Sequence, residues 1–265
     1  MLALVGVPLT ILHLLASCTI PMSIGQVPQD RLAGIKTIAV VSLLTDQVSV
    51  SRPEGVFQAF PAATPVAWHT NDALKATIAT KLRSDGWNVS DVSYQLPQPQ
   101  PGTAQQHETE MVQSIARAIA QTPGTTPADL VIVVHPVGVD RYGEPNSAAR
   151  VAGSILTFGV LGAISSALEQ YRPGFVVFLR SKFEQALGEK QSCNIGFSLY
   201  VIDPRSQAIL ASKTNDMARA ILSQDIWPAD YASDADRRTL ESTCVSGLTT
   251  AMKTALTELI PNAHH

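Results

Sequence analysis

The chain has 265 residues, 45% hydrophobic and 15% charged, with 19 Lys and Arg against 22 Asp and Glu for a net charge of -3. That apolar fraction excludes a disordered chain, three cysteines in such a length exclude a disulfide-dense scaffold, and the charge balance excludes a dedicated nucleic-acid binder. An aromatic content of 6% argues against a stacking platform for bases or sugars.

The first charged side chain is Asp30. Residues 1–17 are rich in Leu, Val and Ala and end in small residues, the pattern of a secretory signal peptide. The tetrad Leu15-Ala16-Ser17-Cys18 resembles the lipobox of bacterial lipoproteins. The resemblance implies cleavage before Cys18, a diacylglyceryl group on its sulfur and an acylated new amine. A thioether needs the soft nucleophile that cysteine supplies. No Lys or Arg precedes Cys18, a departure from the usual signal peptide that a start codon placed too far downstream would explain. The alternative is a buried N-terminal helix of a cytosolic protein with an ordinary core cysteine. Thr19, rather than Asp, follows the cysteine, which by the same resemblance directs the protein to the periplasmic face of the outer membrane. Two or more acyl chains, at about 0.8 kcal/mol per buried methylene, anchor stably. Residues 18–33 are then a lipidated tether, and 34–261 a single α/β domain with an insertion at about 143–190.

With Cys18 lipidated, Cys193 and Cys244 remain. An oxidising compartment favours one disulfide between them, the alternative being two separate buried thiols. No Cys-x-x-Cys and no His pair at helical spacing accompanies them, so neither a metal nor a cofactor is expected.

Residues 35–44 (IKTIAVVSLL) read as a buried strand, and 48–65, with three prolines, as a long loop or irregular strand. Asn71 or Asp72 caps a helix running to about Asp85, with Leu74, Ile78 and Leu82 on one face and Gly86 as its stop. Residues 96–103 (LPQPQPGT) are an exposed loop. A second helix spans about 106–121, with Met111, Ile115 and Ile119 on its apolar side. Residues 130–134 (LVIVV) are a strand covered on both faces. Alternation over 194–202, a turn at 203–206 and a return over 207–212 make a β-hairpin. The final helix, about 239–260, carries Leu240, Cys244, Leu248, Met252, Ala255 and Leu259 inward. The fold class is α/β: a sheet with flanking helices in two or three layers, a hairpin, a C-terminal helix and an apolar helical insertion.

Four segments together carry a second resemblance: Ile-x-x-Ile-Ala-Val at 35–40, Leu-x-x-x-Gly-Trp-x-Val at 82–89, Ala-Asp-Leu-Val-Ile-Val-Val at 128–134 and the hairpin at 199–210. The layout resembles the small α/β domain of several Gram-negative envelope lipoproteins, including the curli-secretion lipoprotein, and of the amino-terminal domain of TolB. The pattern covers about half of the mature chain and includes no catalytic residues. It implies a non-enzymatic scaffold, or an accessory to envelope assembly, secretion or transport, with other envelope proteins or a second copy as partners.

Residues 151–168 (VAGSILTFGVLGAISSAL) carry no charge. Eighteen residues is a borderline membrane span, but three glycines and four hydroxyl residues dilute it. Gly159, Gly162 and Ala163 suit a closely packed helix. Phe175, Leu179, Phe183 and Leu187 fit a second helical face, so the pair reads as a helical hairpin on the sheet. The alternatives are a partner or oligomer surface, with Ile155, Phe158, Leu161, Phe175, Leu179 and Phe183 as its candidate residues, and membrane insertion.

Neither a nucleophile elbow, a P-loop, a dinucleotide fingerprint nor a zincin motif occurs. His135 is the one weak catalytic candidate, because it follows a buried strand with Asp140, Arg141 and Tyr142 close behind. A hydrolase using it is the alternative function. Asp203 in the hairpin turn reads as structural.

Overall fold

A computed structural model of the chain describes residues 25–54, 57–59, 64–90, 108–121, 128–137, 174–180, 185–188, 190–222 and 234–263. The expected signal peptide and lipobox, and the candidate surface residues Ile155, Phe158, Leu161 and Phe183, lie outside these residues. The strands are β1 (Thr37–Ser42), β2 (Gln47–Glu54), β3 (Phe57–Ala59), β4 (Thr64–Pro65), β5 (Asn88–Ser90), β6 (Leu130–Val137), β7 (Phe175–Phe178), β8 (Ser192–Asp203) and β9 (Ala208–Ile221). The helices are α1 (Gln29–Leu32), α2 (Thr70–Ser84), α3 (Glu108–Ala120) and α4 (Asp234–Leu259).

Among the described residues the nine strands form one sheet in the order β3-β2-β7-β8-β6-β1-β5, with β9 on β8 and β4 on β2. β1 is parallel to β5 and β6, while β8 is antiparallel to β6, β7 and β9. One sheet with helices on both faces is the expected α/β class. β1 and β6 read as unbroken apolar runs because both of their faces are covered. Ile38, Val40, Leu130, Ile132 and Val134 share a core with α2 and α4, whereas Ala39, Val41, Val131 and Val133 meet Ile115, Ala116 and Ile119 of α3.

The long strand β8 organises the rest. Gly196 pairs with Val137 of β6 and Asn194 pairs with Val176 of β7. The chain thus advances 176 − 137 = 39 positions, while β8 advances only 196 − 194 = 2. β6 and β7 therefore lie end to end along the same side of β8. β1 and β2 repeat this alongside, pairing with β6 and β7 respectively. The sheet has a proximal half (β1, β5, β6) and a distal half (β2, β7), bridged by β8 and β9.

Two expectations change and one open alternative is settled. Phe175–Phe178 is a buried strand rather than the start of a helix, and Phe175 and Leu179 are 1% and 2% exposed. They are core, not an interaction surface. The four-residue spacing fitted a helix, but the Phe-Val-Val-Phe run is also the signature of a strand buried on both faces. Leu187, on the same supposed stripe, is 70% exposed. Of the two readings of 48–65, the strand holds for 47–54 and 57–59, with Pro53 accommodated where β2 pairs with the short β3. The final helix begins at Asp234, a full turn before Thr239.

The helix ends show how local sequence fixes the frame. Leu74, Ile78 and Leu82 of α2 are buried on one stripe. Gly86 adopts φ 91°, its N–H donates to Arg83 O, and the Trp87 N–H donates to Leu82 O, so a Schellman turn closes the helix. At the other end the cap comes from elsewhere: Asp46 accepts the Thr70 N–H at 3.0 Å. Asn71 is the second residue of the helix, and its amide donates to Leu44 O at 2.7 Å while its carbonyl accepts from Ser42. It therefore pins the β1–β2 joint to α2.

Candidate functional site

The residues from Val27 to Leu32 join the body at the proximal end. The Val27 N–H donates to Leu259 O at 2.9 Å, and Val27 and Leu32 are buried in the main core. The body therefore begins before residue 34. The Ala263 N–H donates to Asp85 O at 2.8 Å, and the Trp87 indole N–H donates to Pro261 O at 3.1 Å. The segment around Val27, the C-terminus of α2 and the residues that follow α4 are thus tied together. Between them lies a cleft of about 640 Å3, lined in part by Leu32, Ile35, Lys36, Trp87, Asn88 and Asn262. It offers an apolar floor, neutral amides and one cation. A second cleft of about 630 Å3 runs between β9 and α4, with Arg219 and the hydroxyls of Ser242, Thr243, Ser246 and Thr250 on its walls.

Asp129 closes the same end. It precedes β6, and its carboxylate accepts from the Lys36 N–H (2.8 Å), the Thr37 N–H (3.0 Å) and the Arg205 guanidinium (2.9 Å). Burial alone would raise its carboxyl, but these hydrogen bonds and the Arg205 charge hold it below the ordinary carboxylate range. Asp203 behaves alike in the β8–β9 turn. Burial raises it, and hydrogen bonds from the Ser206 hydroxyl and the Arg205 and Ser206 N–H groups outweigh that. Sequence reading assigned Asp203 to its turn but missed Asp129. The available signal was an aspartate placed directly before an apolar run.

Cys193 of β8 and Cys244 of α4 are disulfide-bonded, with Cα atoms 5.4 Å apart. The bond fastens α4 to the distal half of the sheet, where Cys193 pairs with Val177. The helix lies close to the sheet here: a Cβ on Gly247 would sit 2.6 Å from the Ala220 Cβ.

His135 lies inside β6, 4% exposed, opposite Ser198 of β8. The Ser198 hydroxyl is in turn 2.9 Å from the Thr214 hydroxyl. Neither cleft described above includes His135. Asp140, Arg141 and Tyr142 lie outside the described residues. Among the described residues, no three His, Cys, Asp or Glu side chains gather as a metal site, and no helix is long and apolar enough to cross a membrane.

No protein-family model matches the chain, and no curated protein matches it. Among solved structures it is similar to a neuraminyllactose-binding hemagglutinin homolog from Helicobacter pylori, at 11% identity and TM-score 0.33, over 89% of this chain and 91% of that one. It is also similar to a DUF330 protein from Xanthomonas campestris, at 11% identity and TM-score 0.28, over 84% and 83% of the two chains. At these scores the functional case rests on the chain's own residues.

Proposed function

We propose that the protein is a lipid-anchored envelope lipoprotein that acts, without catalysis, as a scaffold or accessory factor in envelope assembly, secretion or transport. The observation that carries this is the Leu15-Ala16-Ser17-Cys18 tetrad, set just ahead of a folded body whose first described core residue is Val27. Nine peptide steps separate Cys18 from Val27, since 27 − 18 = 9. At full extension that chain spans at most about 30 Å, which keeps the proximal end near the bilayer. The acyl chains supply location, and the α/β body supplies binding surface to other envelope proteins. Asp129 and Asp203 support a structural use of these two carboxylates, since they accept hydrogen bonds from strand-end and turn N–H groups. The test is Cys18→Ser in cells fed a palmitate analogue. The variant is expected to lose the label and leave the membrane fraction.

A further inference from the structure

The long strand β9 has one edge bonded and one edge open. Among the described residues it pairs with β8 alone. The ladder fixes which backbone groups the open edge offers. Ala218, Arg219, Ala220 and Ile221 stand opposite Ile195, Asn194, Cys193 and Ser192, and the next residue, Leu222, donates its N–H to Gln191 O at 3.1 Å. Antiparallel pairs alternate between bonded and non-bonded, so Ala218 and Ala220 also turn their N–H and C=O toward β8. Arg219 and Ile221 turn theirs outward, and both residues are exposed, Ile221 by 44%.

This edge is one wall of the cleft of about 630 Å3 whose other wall is α4. The four consecutive residues 218–221 all line it, so the edge of the strand, rather than one of its faces, borders the cleft. Ser242, Thr243, Ser246 and Thr250 line it from α4. Elsewhere on α4 the hydroxyls of Thr249, Thr254 and Thr257 donate to carbonyls of their own helix. Among the described residues the four cleft hydroxyls make no such bond, and the Arg219 guanidinium has no carboxylate partner.

We propose that this cleft takes an extended segment of another protein, which adds a strand to β9 and places a carboxylate against Arg219. An extended chain supplies backbone donors and acceptors at the spacing of Arg219 and Ile221, whereas a helix already uses its own internally. Among the described residues that line the cleft, Arg219 alone is charged, so the guest carries the opposite sign. The hydroxyls of α4 meet short polar side chains of the guest. A second copy joined through Arg219 would set two guanidiniums opposite each other, which disfavours it. The inference deepens the scaffold reading by giving it a surface. It rests on that reading for the partner's being an envelope protein, and on β9 and α4 for the site.

The test pans a phage-displayed library of random linear peptides on the full-length protein, then measures binding of the enriched peptides by fluorescence anisotropy. Acidic, strand-forming peptides are the expected product. Arg219→Glu is expected to weaken them by about tenfold or more, and so is Ile221→Pro, which removes an outward N–H but no bond to β8. Ser246→Trp, which fills the cleft from an exposed helix position, is expected to do the same. Failure to enrich any peptide, enrichment of basic or helical ones, or equal binding to wild type and all three variants overturns the proposal. A second measurement places benzoylphenylalanine at Ile221 of the full-length chain in its own membrane. The expected adduct is with a different polypeptide and is lost when Arg219→Glu is added. An adduct with lipid, with a second copy or within the chain, or no adduct, overturns the assignment. Neither experiment alters Cys18, so loss of membrane retention with peptide binding intact would point to the anchor instead.

Discussion

The two halves of the sheet are built on different terms. The proximal half is apolar on both faces and closed at its end by polar staples: Asp129 to the start of β1, Trp87 to Pro261 and Val27 to Leu259. The distal half is apolar on the α4 face and mixed on the other. Its other face carries Ser49, Ser192 and Asn194 among Val176 and Phe178, and its tie to α4 is covalent, through Cys193 and Cys244. The difference shows where this chain relies on local completeness. The proximal half is enclosed by helices on both faces and by hydrogen bonds at its end, whereas the distal half is tied to α4 by a disulfide and pairs β2 with β7, far apart in the sequence.

Breaking the covalent tie should have the largest effect. The double variant Cys193→Ser, Cys244→Ser opens a loop with a sequence separation of 51 residues. Chain entropy for such a loop gives a loss of about 4 kcal/mol, read as a fall in denaturant midpoint. Hydrogen exchange should rise first in β7 and the start of β8, not in β1 or β6. Next comes Phe178→Ala, expected to cost about 3 kcal/mol because the ring is 1% exposed. Leu187→Ala serves as its control, since Leu187 is 70% exposed and should change stability by less than about 0.5 kcal/mol.

The proximal staple is smaller and titrates. Asp129→Ala should cost about 1–2 kcal/mol by leaving the Thr37 N–H without its acceptor. The Asp129 carboxyl is held below its ordinary value of 3.8, so its stabilisation is fully present above that pH and is lost as pH falls through the lower, folded value. The stability gap between wild type and Asp129→Asn should therefore be constant near neutrality and shrink below about pH 4. The smallest effect belongs to Lys213→Ala. It removes the ion pair with Glu258, whose carboxylate is 52% exposed, and should stay within about 0.5 kcal/mol.

Much of the proximal half was legible in the residues. α2 followed from Leu74, Ile78 and Leu82, its end from Gly86, and the hairpin from alternation around the 203–206 turn. These signals are local. The distal half was not legible, because β2 finds its partner in β7, far along the chain, and a four-residue strand has no period long enough to exclude a helix. Asn71 shows the same limit at one residue. Its type suggested a helix cap, and only the meeting of β1 with α2 reveals that it bonds to Leu44 and Ser42 instead. The lipobox resemblance and the disulfide were read from different signals. Cys18 was singled out by its neighbours, whereas Cys193 and Cys244 were paired by counting and compartment, and they meet through the packing of α4 on β8.

The central claim is the anchor at Cys18, and fractionation of wild type and Cys18→Ser beside a palmitate-analogue label tests it most directly. Labelled wild type in the membrane fraction, with an unlabelled and released Cys18→Ser variant, is the expected result. Wild type without label, or a variant held in the membrane as firmly as wild type, would contradict it.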